Sequence, residues 1–199
     1  MAKYAFIDFQ NTDITTKKIL GFQIDWLKLY WFLKNDWKCE KVFMYIGVDA
    51  GDLETTAMLE ELEKQECIVR GKTVFAYKNR DKDIELLCPK CQHKFIEHID
   101  MGYNRKSNCD VELTVDAMEN AKEGSEFYIF TGDGDFEFLV RAVNKKGARV
   151  NIVSSPKKIK TGPRYFSSRF STKLRDLIAS SPKEVFFINI DNVRFRIQK

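Results

Sequence analysis

The feature that most constrains this chain is a regular alternation of short apolar, β-compatible runs with stretches of helical periodicity. "YAFIDF" near the N-terminus is short and apolar. "FQIDWLKLYWFLKN" follows, with Trp26, Leu29, Tyr30 and Leu33 at spacings that share one helix face. "KVFMYIGV" then reads as a buried strand and "DLETTAMLEELEKQE" as a helix with an acidic first turn and apolar Leu59 and Leu62. "CIVRGKTVFAYK" is strand-like. After an interruption the order resumes. "NCDVELTVDAMENAKEG" predicts a helix with Val111, Val115 and Met118 inward. "EFYIFT" predicts a strand, "DFEFLVRAVNKKG" a helix closed by Gly147, and "ARVNIVSS" a strand. "SSRFSTKLRDLIAS" predicts a helix capped by Ser168 or Ser171, and "EVFFINIDNVRFRIQK" reads as β-like. Alternation of this kind implies a mainly parallel sheet with helices on both faces, a three-layer α/β/α sandwich. The 199 residues, 44% hydrophobic, suffice for one such domain over 1–199.

The interruption, residues 79–107, holds neither a long helix nor a clean central strand, and reads as an inserted, zinc-ribbon-like hairpin. Cys88 and Cys91 form "CPKC" between the arms "DIELL" and "KFIEHI". Structural zinc takes four ligands, and His93 and His98 are nearby ligand types. A site built from Cys88, Cys91, His93 and His98 is one option. A degenerate ribbon without zinc and a half-site completed by a second subunit, in a homodimer, are the others. The redox alternative does not fit, because a thioredoxin-like pair opens a helix after the first strand.

In sheets of this type, ligands bind beyond the carboxyl ends of the strands. Asp8 ends the first strand, and Asp133 and Asp135 follow "FYIFTG". Asp110 opens a helix beside the same edge. Each is also a natural helix cap, Asp135 for the helix that follows it. Four together raise the cost of crowding: two unit charges ~4 Å apart repel by about 4 kcal/mol at an effective dielectric of 20. A hard cation such as Mg²⁺ or Mn²⁺, an oxygen binder that bridges phosphates, removes that cost. Gly132 and Gly134 permit a tight turn and close backbone approach.

These residues carry a family resemblance. "FIDFQN" (Asp8, Asn11), "KSNCDVELTVDA" (Lys106, Asp110, Asp116), "TGDGDFEFLV" (Asp133, Asp135, Phe136) and the glycine of "NKKGARVNIV" together resemble the NYN-domain family. That family is a branch of the PIN-like ribonucleases that includes LabA-like bacterial proteins. The resemblance runs from about Ala2 to Leu177. It implies a PIN-like, Rossmann-like fold and a metal-dependent endoribonuclease site. Asp8, Asp110, Asp133 and Asp135 would hold Mg or Mn, and Asn11 would orient a ligand or water. Asp116 lies ~120° around its helix from Asp110 and would support the site from behind or bond within the fold. Thr131 replaces a family serine and keeps the hydroxyl.

The net charge of +4 says little alone, but its distribution is uneven. Lys157, Lys158, Lys160, Arg164 and Arg169 follow the strand "ARVNIV" in a loop expected at the carboxyl edge, and Lys17 and Lys18 follow Asn11 in a loop on the same edge. Positive charge around a carboxylate pocket suits RNA, single-stranded or structured, with Tyr165 and Phe166 available to stack bases. A plain solvated loop is the alternative. No apolar run is long enough to span a membrane and no secretory pattern opens the chain, so a cytoplasmic protein is expected. Besides a ribonuclease, a non-catalytic RNA-binding or regulatory module and a nucleotide phosphatase would use the same carboxylates.

Overall fold

The computed structural model describes residues 1–163 and 166–199, without the side chains of Arg105, Lys106 and Phe166. The first half runs β1 (Lys3–Asp8), α1 (Phe9–Ile14), a π-helical stretch (Thr15–Leu20), α2 (Trp26–Asn35), β2 (Lys41–Val48), α3 (Leu53–Lys64) and β3 (Ile68–Thr73). Four strands follow: β4 (Phe75–Lys78), β5 (Lys82–Leu87), β6 (Lys94–Ile99) and β7 (Tyr103–Lys106). The chain then forms α4 (Asp110–Asn120), β8 (Glu126–Phe130), a 3₁₀ turn (Gly134–Phe136), α5 (Glu137–Lys145) and β9 (Arg149–Ser154). It ends with β10 (Lys158–Lys160), β11 (Phe166–Ser168), α6 (Thr172–Ser180), β12 (Val185–Asn189), a 3₁₀ turn (Ile190–Val193) and α7 (Arg194–Ile197).

Among the described residues, six strands make one parallel sheet in the order β12-β9-β8-β1-β2-β3. The chain builds outward from β1 in one direction and, from β8 onward, in the other. The strand order therefore reverses between β1 and β8, where an open α/β sheet leaves a crevice at its carboxyl edge.

Side chains alternate across each strand. Ala5 and Ile7 of β1 face a core with α2, α3 and α7, including Leu29, Leu33, Leu62 and Ile197. Tyr4 and Phe6 face the other core, with Leu113 of α4, Val143 of α5 and Leu177 of α6. These two cores make the three layers. Each fully buried leucine contributes about 2 kcal/mol. Phe6 stacks on Phe43 with ring centroids 5.0 Å apart, locking β1 to β2. α2 starts where the Asp25 carboxylate accepts from the Lys28 N–H at 3.0 Å, and it buries Trp26, Leu29, Tyr30 and Leu33 as their spacing predicts. α5 ends before Gly147, which takes φ +83. Ser171 caps α6.

Several elements differ from the sequence reading. The inward face of α4 is Leu113, Asp116 and Ala117, while Val111 and Val115 are exposed. The helix turns this way because buried Asp116 finds partners on β2 and β3. Residues Phe9–Leu20 are helical, where the sequence reading placed Lys17 and Lys18 in a loop; Lys17 pairs with Asp13 at 3.0 Å. "CIVRGKTVFAYK" breaks at Val74, whose N–H donates to Val48, so β4 leaves the sheet. The tail is a strand only to Asn189 and then turns helical.

β4 pairs with β7, and β5 with β6, as two antiparallel ladders apart from the main sheet. Both β5 and β6 are exposed along their whole length, and none of their side chains joins either core. Among the described residues no helix is long and apolar enough to cross a membrane.

Candidate active site

Asp8 is the last residue of β1 and the N-cap of α1, so both its oxygens are engaged. Oδ1 accepts from the Asn11 N–H at 3.1 Å, and Oδ2 from the Thr131 hydroxyl at 3.2 Å. Thr131 lies just past β8 and is buried; its oxygen also accepts from the Asp133 N–H at 3.1 Å. The Asn11 side-chain Oδ1 accepts from the Gly132 N–H at 2.8 Å. The turn after β8 is thus tied to the end of β1 by short polar side chains alone.

Asp133 caps the 3₁₀ turn, its Oδ1 accepting from the Asp135 N–H at 3.0 Å, while α5 has Phe136 at its N-cap and takes no side-chain cap from Asp135. Asp135 lies at the exposed rim, with Lys173 Nζ 3.8 Å from its carboxylate. Gly132 is required by packing, since a Cβ there would meet the Arg169 carbonyl oxygen at 1.9 Å. The Ser171 N–H donates to the Gly132 carbonyl at 2.9 Å, closing the turn against the segment before α6.

Asp110 is the first residue of α4 and does not cap it. Asn108 brackets it, donating from Nδ2 to Asp110 Oδ2 at 2.7 Å and accepting from the Asp110 N–H at 2.8 Å. Asp8, Asp110 and Asp133 line one cavity of about 350 Å³, together with Asn11, Tyr45 and Arg169. A second opening of about 390 Å³ continues from it past Asp133, Arg169 and Asp135 to Lys173.

Burial pushes the Asp8 carboxyl up to about 6, against the pull of its Asn11 and Thr131 hydrogen bonds, and the charges of Asp110 and Asp133 add to the rise. Asp110 is raised too, first by burial and then by Asp133 and Asp135, with Asn108 and Lys72 opposing. No cationic side chain pairs with Asp8, Asp110 or Asp133 among the described residues. Carboxylate oxygens are the donor type that a hard divalent cation takes. Among the described residues no three His, Cys, Asp or Glu side chains close into a ready-made cage, so the carboxylates share a cavity without meeting at one point.

Asp116 stands outside the cavity. It accepts from Tyr45 Oη at 2.9 Å and pairs with Arg70 through Nε at 3.1 Å and Nη2 at 3.2 Å. Tyr45 lines the cavity, so Asp116 acts on it only through that ring. Lys157, Lys158 and Lys160 are exposed and touch neither opening. Lys158 and Lys160 ride on a β10–β11 ladder just after Lys157, where the sequence suggested a loop, and the second strand leads back to Arg169. Arg164, Tyr165 and the side chains of Lys106 and Phe166 lie outside the described residues.

In the insertion, Cys88 and Cys91 lie together at the tip of the β5–β6 hairpin. His98 is paired across the hairpin with Asp83, 2.6 Å away, and four residues from the end of the ladder at Lys94. At about 3.4 Å per residue that is ~14 Å from the tip, so His98 does not join the cysteines. His93 forms no metal-binding group with them either.

Sequence reasoning missed Tyr45, Gly47 and Ser107 as cavity walls. Gly47 carried a signal, since a glycine ends the long apolar run of β2. A Cβ there would sit 1.5 Å from Ser107 Oγ.

A parallel sheet clothed on both faces, with carboxylates where its strand order reverses, is the architecture of the PIN-like nuclease-type domains. Within that class the chain belongs to the NYN domain family, which it matches over residues 4–172. Fifty-three residues are 30% identical to the low amplitude and bright protein LabA of Synechococcus elongatus, covering 27% of this chain and only 28% of that protein. A crystal structure of a Vibrio parahaemolyticus protein of unknown function shares the fold at TM-score 0.64 and 18% identity, covering 100% of this chain and 96% of the other.

Proposed function

We propose that this NYN domain is a metal-dependent endoribonuclease that hydrolyses RNA phosphodiester bonds in the cavity of Asp8, Asp110 and Asp133. The observation that carries the reading is the convergence of three carboxylates on one cavity at the crevice between β1 and β8, with no pairing cation among the described residues. On this reading residues 1–199 act as one unit with 79–107 inserted in it, and the substrate is a cytoplasmic RNA.

Asp8, Asp110 and Asp133, with Asp135 at the rim, would hold Mg²⁺ or Mn²⁺, which when bound offsets carboxylate repulsion and polarises a phosphoryl oxygen. The chain's own groups do the rest. Thr131 and the Asn11 N–H hold the Asp8 carboxylate in one orientation. Asn11 spends its side-chain Oδ1 on Gly132 and keeps its amide nitrogen for the cavity. Arg169, at the junction of both openings, offers its guanidinium to a phosphate.

The test is cleavage of an end-labelled RNA with Mn²⁺ or Mg²⁺ and with EDTA. Internal cuts that require the cation are expected. Binding without cleavage would instead make the chain a non-catalytic RNA-binding module, and phosphate release from mononucleotides alone would make it a nucleotide phosphatase.

Lys157, Lys158 and Lys160 would guide the RNA backbone toward Arg169. Replacing all three by alanine is expected to weaken binding across RNA sequences. It should also reduce the slope of log K against log salt by roughly 2, at ~0.7 per phosphate contact on a single strand. A salt titration of RNA affinity reads both, and an unchanged slope would leave these lysines as solvated surface.

A further inference from the structure

The tip of the β5–β6 hairpin brings two cysteines, Cys88 and Cys91, together. The Cys88 N–H donates to the His93 carbonyl at 3.0 Å and the Gln92 N–H to the Cys88 carbonyl at 2.8 Å, closing a tight knuckle. Gln92 holds φ +58, in the left-handed region that a non-glycine residue rarely takes. Inside the knuckle the backbone N–H groups of Cys91 and Lys90 and the Cys91 thiol all turn to the Cys88 sulfur. Both cysteines are free thiols, side by side and accessible. The other three cysteines, Cys39, Cys67 and Cys109, are buried in the main body. Among the described residues, then, this chain supplies two sulfur ligands at this point and no third.

The hairpin that carries the knuckle lacks support of its own. In its register Leu86 faces Phe95, Ile84 faces Glu97 and Lys82 faces Ile99, so Ile84, Leu86, Phe95 and Ile99 share one face. All four are exposed, between 36% and 44% of their surface. An isolated two-stranded hairpin is marginal in water, and an uncovered apolar face makes it a surface for association.

We propose that Cys88 and Cys91 bind one Zn²⁺ jointly with Cys88 and Cys91 of a second copy of this chain. Zinc in structural sites takes four tetrahedral ligands and favours thiolates. Two identical half-sites related by a two-fold axis supply four sulfurs, which no single-chain arrangement of the described residues does. The four thiols release their protons on binding. The site then carries a net charge of −2, which Lys90 in each knuckle offsets. The same pairing brings the two apolar hairpin faces within reach of each other. The occupant of the arm is thus a second copy, because only a second copy brings the matching pair of thiols.

The test uses the untagged full-length chain, purified without chelators under reducing conditions, with zinc content and solution mass measured together. About one zinc per two chains and the mass of a dimer are expected, falling to a zinc-free monomer with a strong chelator. Cys88→Ser and Cys91→Ser should each lose the zinc and the dimer while keeping the circular dichroism of the parent and the thermal midpoint of the zinc-free parent. Cobalt added to the chelated protein should give the intense sulfur-to-metal absorption of a four-thiolate tetrahedral site, and none in either variant. One zinc per monomer, zinc retained by Cys88→Ser, a dimer that survives zinc removal, or a zinc-free monomer throughout would each overturn the proposal. So would a dimer dissolved by reductant and not by chelator, which would make the link a disulfide.

Discussion

Asp8→Asn is expected to end cation-dependent RNA cleavage while making the chain more stable at neutral pH. The asparagine keeps the shape of the side chain and an oxygen to cap α1, so the fold retains its contact with the Asn11 N–H. What it removes is a buried charge. The several kcal/mol of charge stabilisation that a bound cation supplies correspond to a rate loss of at least ~100-fold. For stability the sign follows from protons. The Asp8 carboxyl sits at about 6 in the folded chain, against ~4 unfolded. Between those values the folded chain holds a proton that the unfolded chain has released. Wild-type stability therefore falls as pH rises from ~4 to ~6 and stays lower above it. Allowing for the partial exposure of Asp8, the variant should gain about 2 kcal/mol at pH 7.5 and nothing at pH 4. In midpoint that is roughly 5 °C for a chain of this size. Denaturation without divalent cations at the two pH values checks it. A variant less stable at both would mean that Asp8 is needed as a structural anion.

Gly132→Ala should damage stability and activity together. The added methyl would lie 1.9 Å from the Arg169 carbonyl oxygen, a backbone atom held near by the Ser171 N–H bond to Gly132. Relief requires the turn after β8 to move away from α6. That movement breaks the Asn11 and Thr131 contacts, which set Asp8 and Asp133 in place. Overpacking of this kind costs about 1–3 kcal/mol and sometimes more. The expected outcome is a midpoint several degrees lower and cleavage reduced at least ~100-fold, since a displacement of ~1 Å in a reacting geometry costs that much. Gly134→Ala serves as comparison. Its Cβ would meet the Ser171 hydroxyl at 2.3 Å, a side-chain atom that can rotate, so a smaller loss is expected. Equal losses in both variants would show that the backbone contact at Gly132 is not the reason for that glycine.

The central strands of the main sheet were legible because each is a short apolar run bounded by polar residues, whereas β10 and β11 fall where the sequence suggests a loop. "KVFMYIGV" matches β2 from end to end. The acids at strand ends were legible too, because the carboxyl-edge rule depends only on element order. What escaped depends on partners distant in sequence. Asp116, expected to support the site from behind or bond within the fold, finds its partners Arg70 and Tyr45 only from 46 and 71 residues earlier, and Val111 and Val115 of α4 are turned outward. Phe9–Leu20 was missed because "FQNTDITTKKIL" mixes β-branched and Asx residues with no clear period. That segment is held by its place over the sheet, where the Thr12 hydroxyl donates to the Phe130 carbonyl at 3.2 Å. That Asp133 caps a short 3₁₀ turn and Asp135 caps nothing turns on backbone angles that spacing does not fix.

Placing β1 between β2 and β8 has a kinetic consequence. Ile7 pairs with Phe130, more than a hundred residues downstream, and Thr131 reaches Asp8 across 123 positions. Closing so long a loop loses chain entropy before any contact repays it, and parallel pairing at such separations is slow. During synthesis the N-terminal β1, α2 and β2 can associate early, yet Asp8 then faces an open edge. The pocket comes into being only when β8 docks, and its far wall only when Arg169 and Ser171 have followed. A partly made or partly folded chain therefore carries no working pocket, and whatever chemistry resides there is withheld until the last long-range closure is complete.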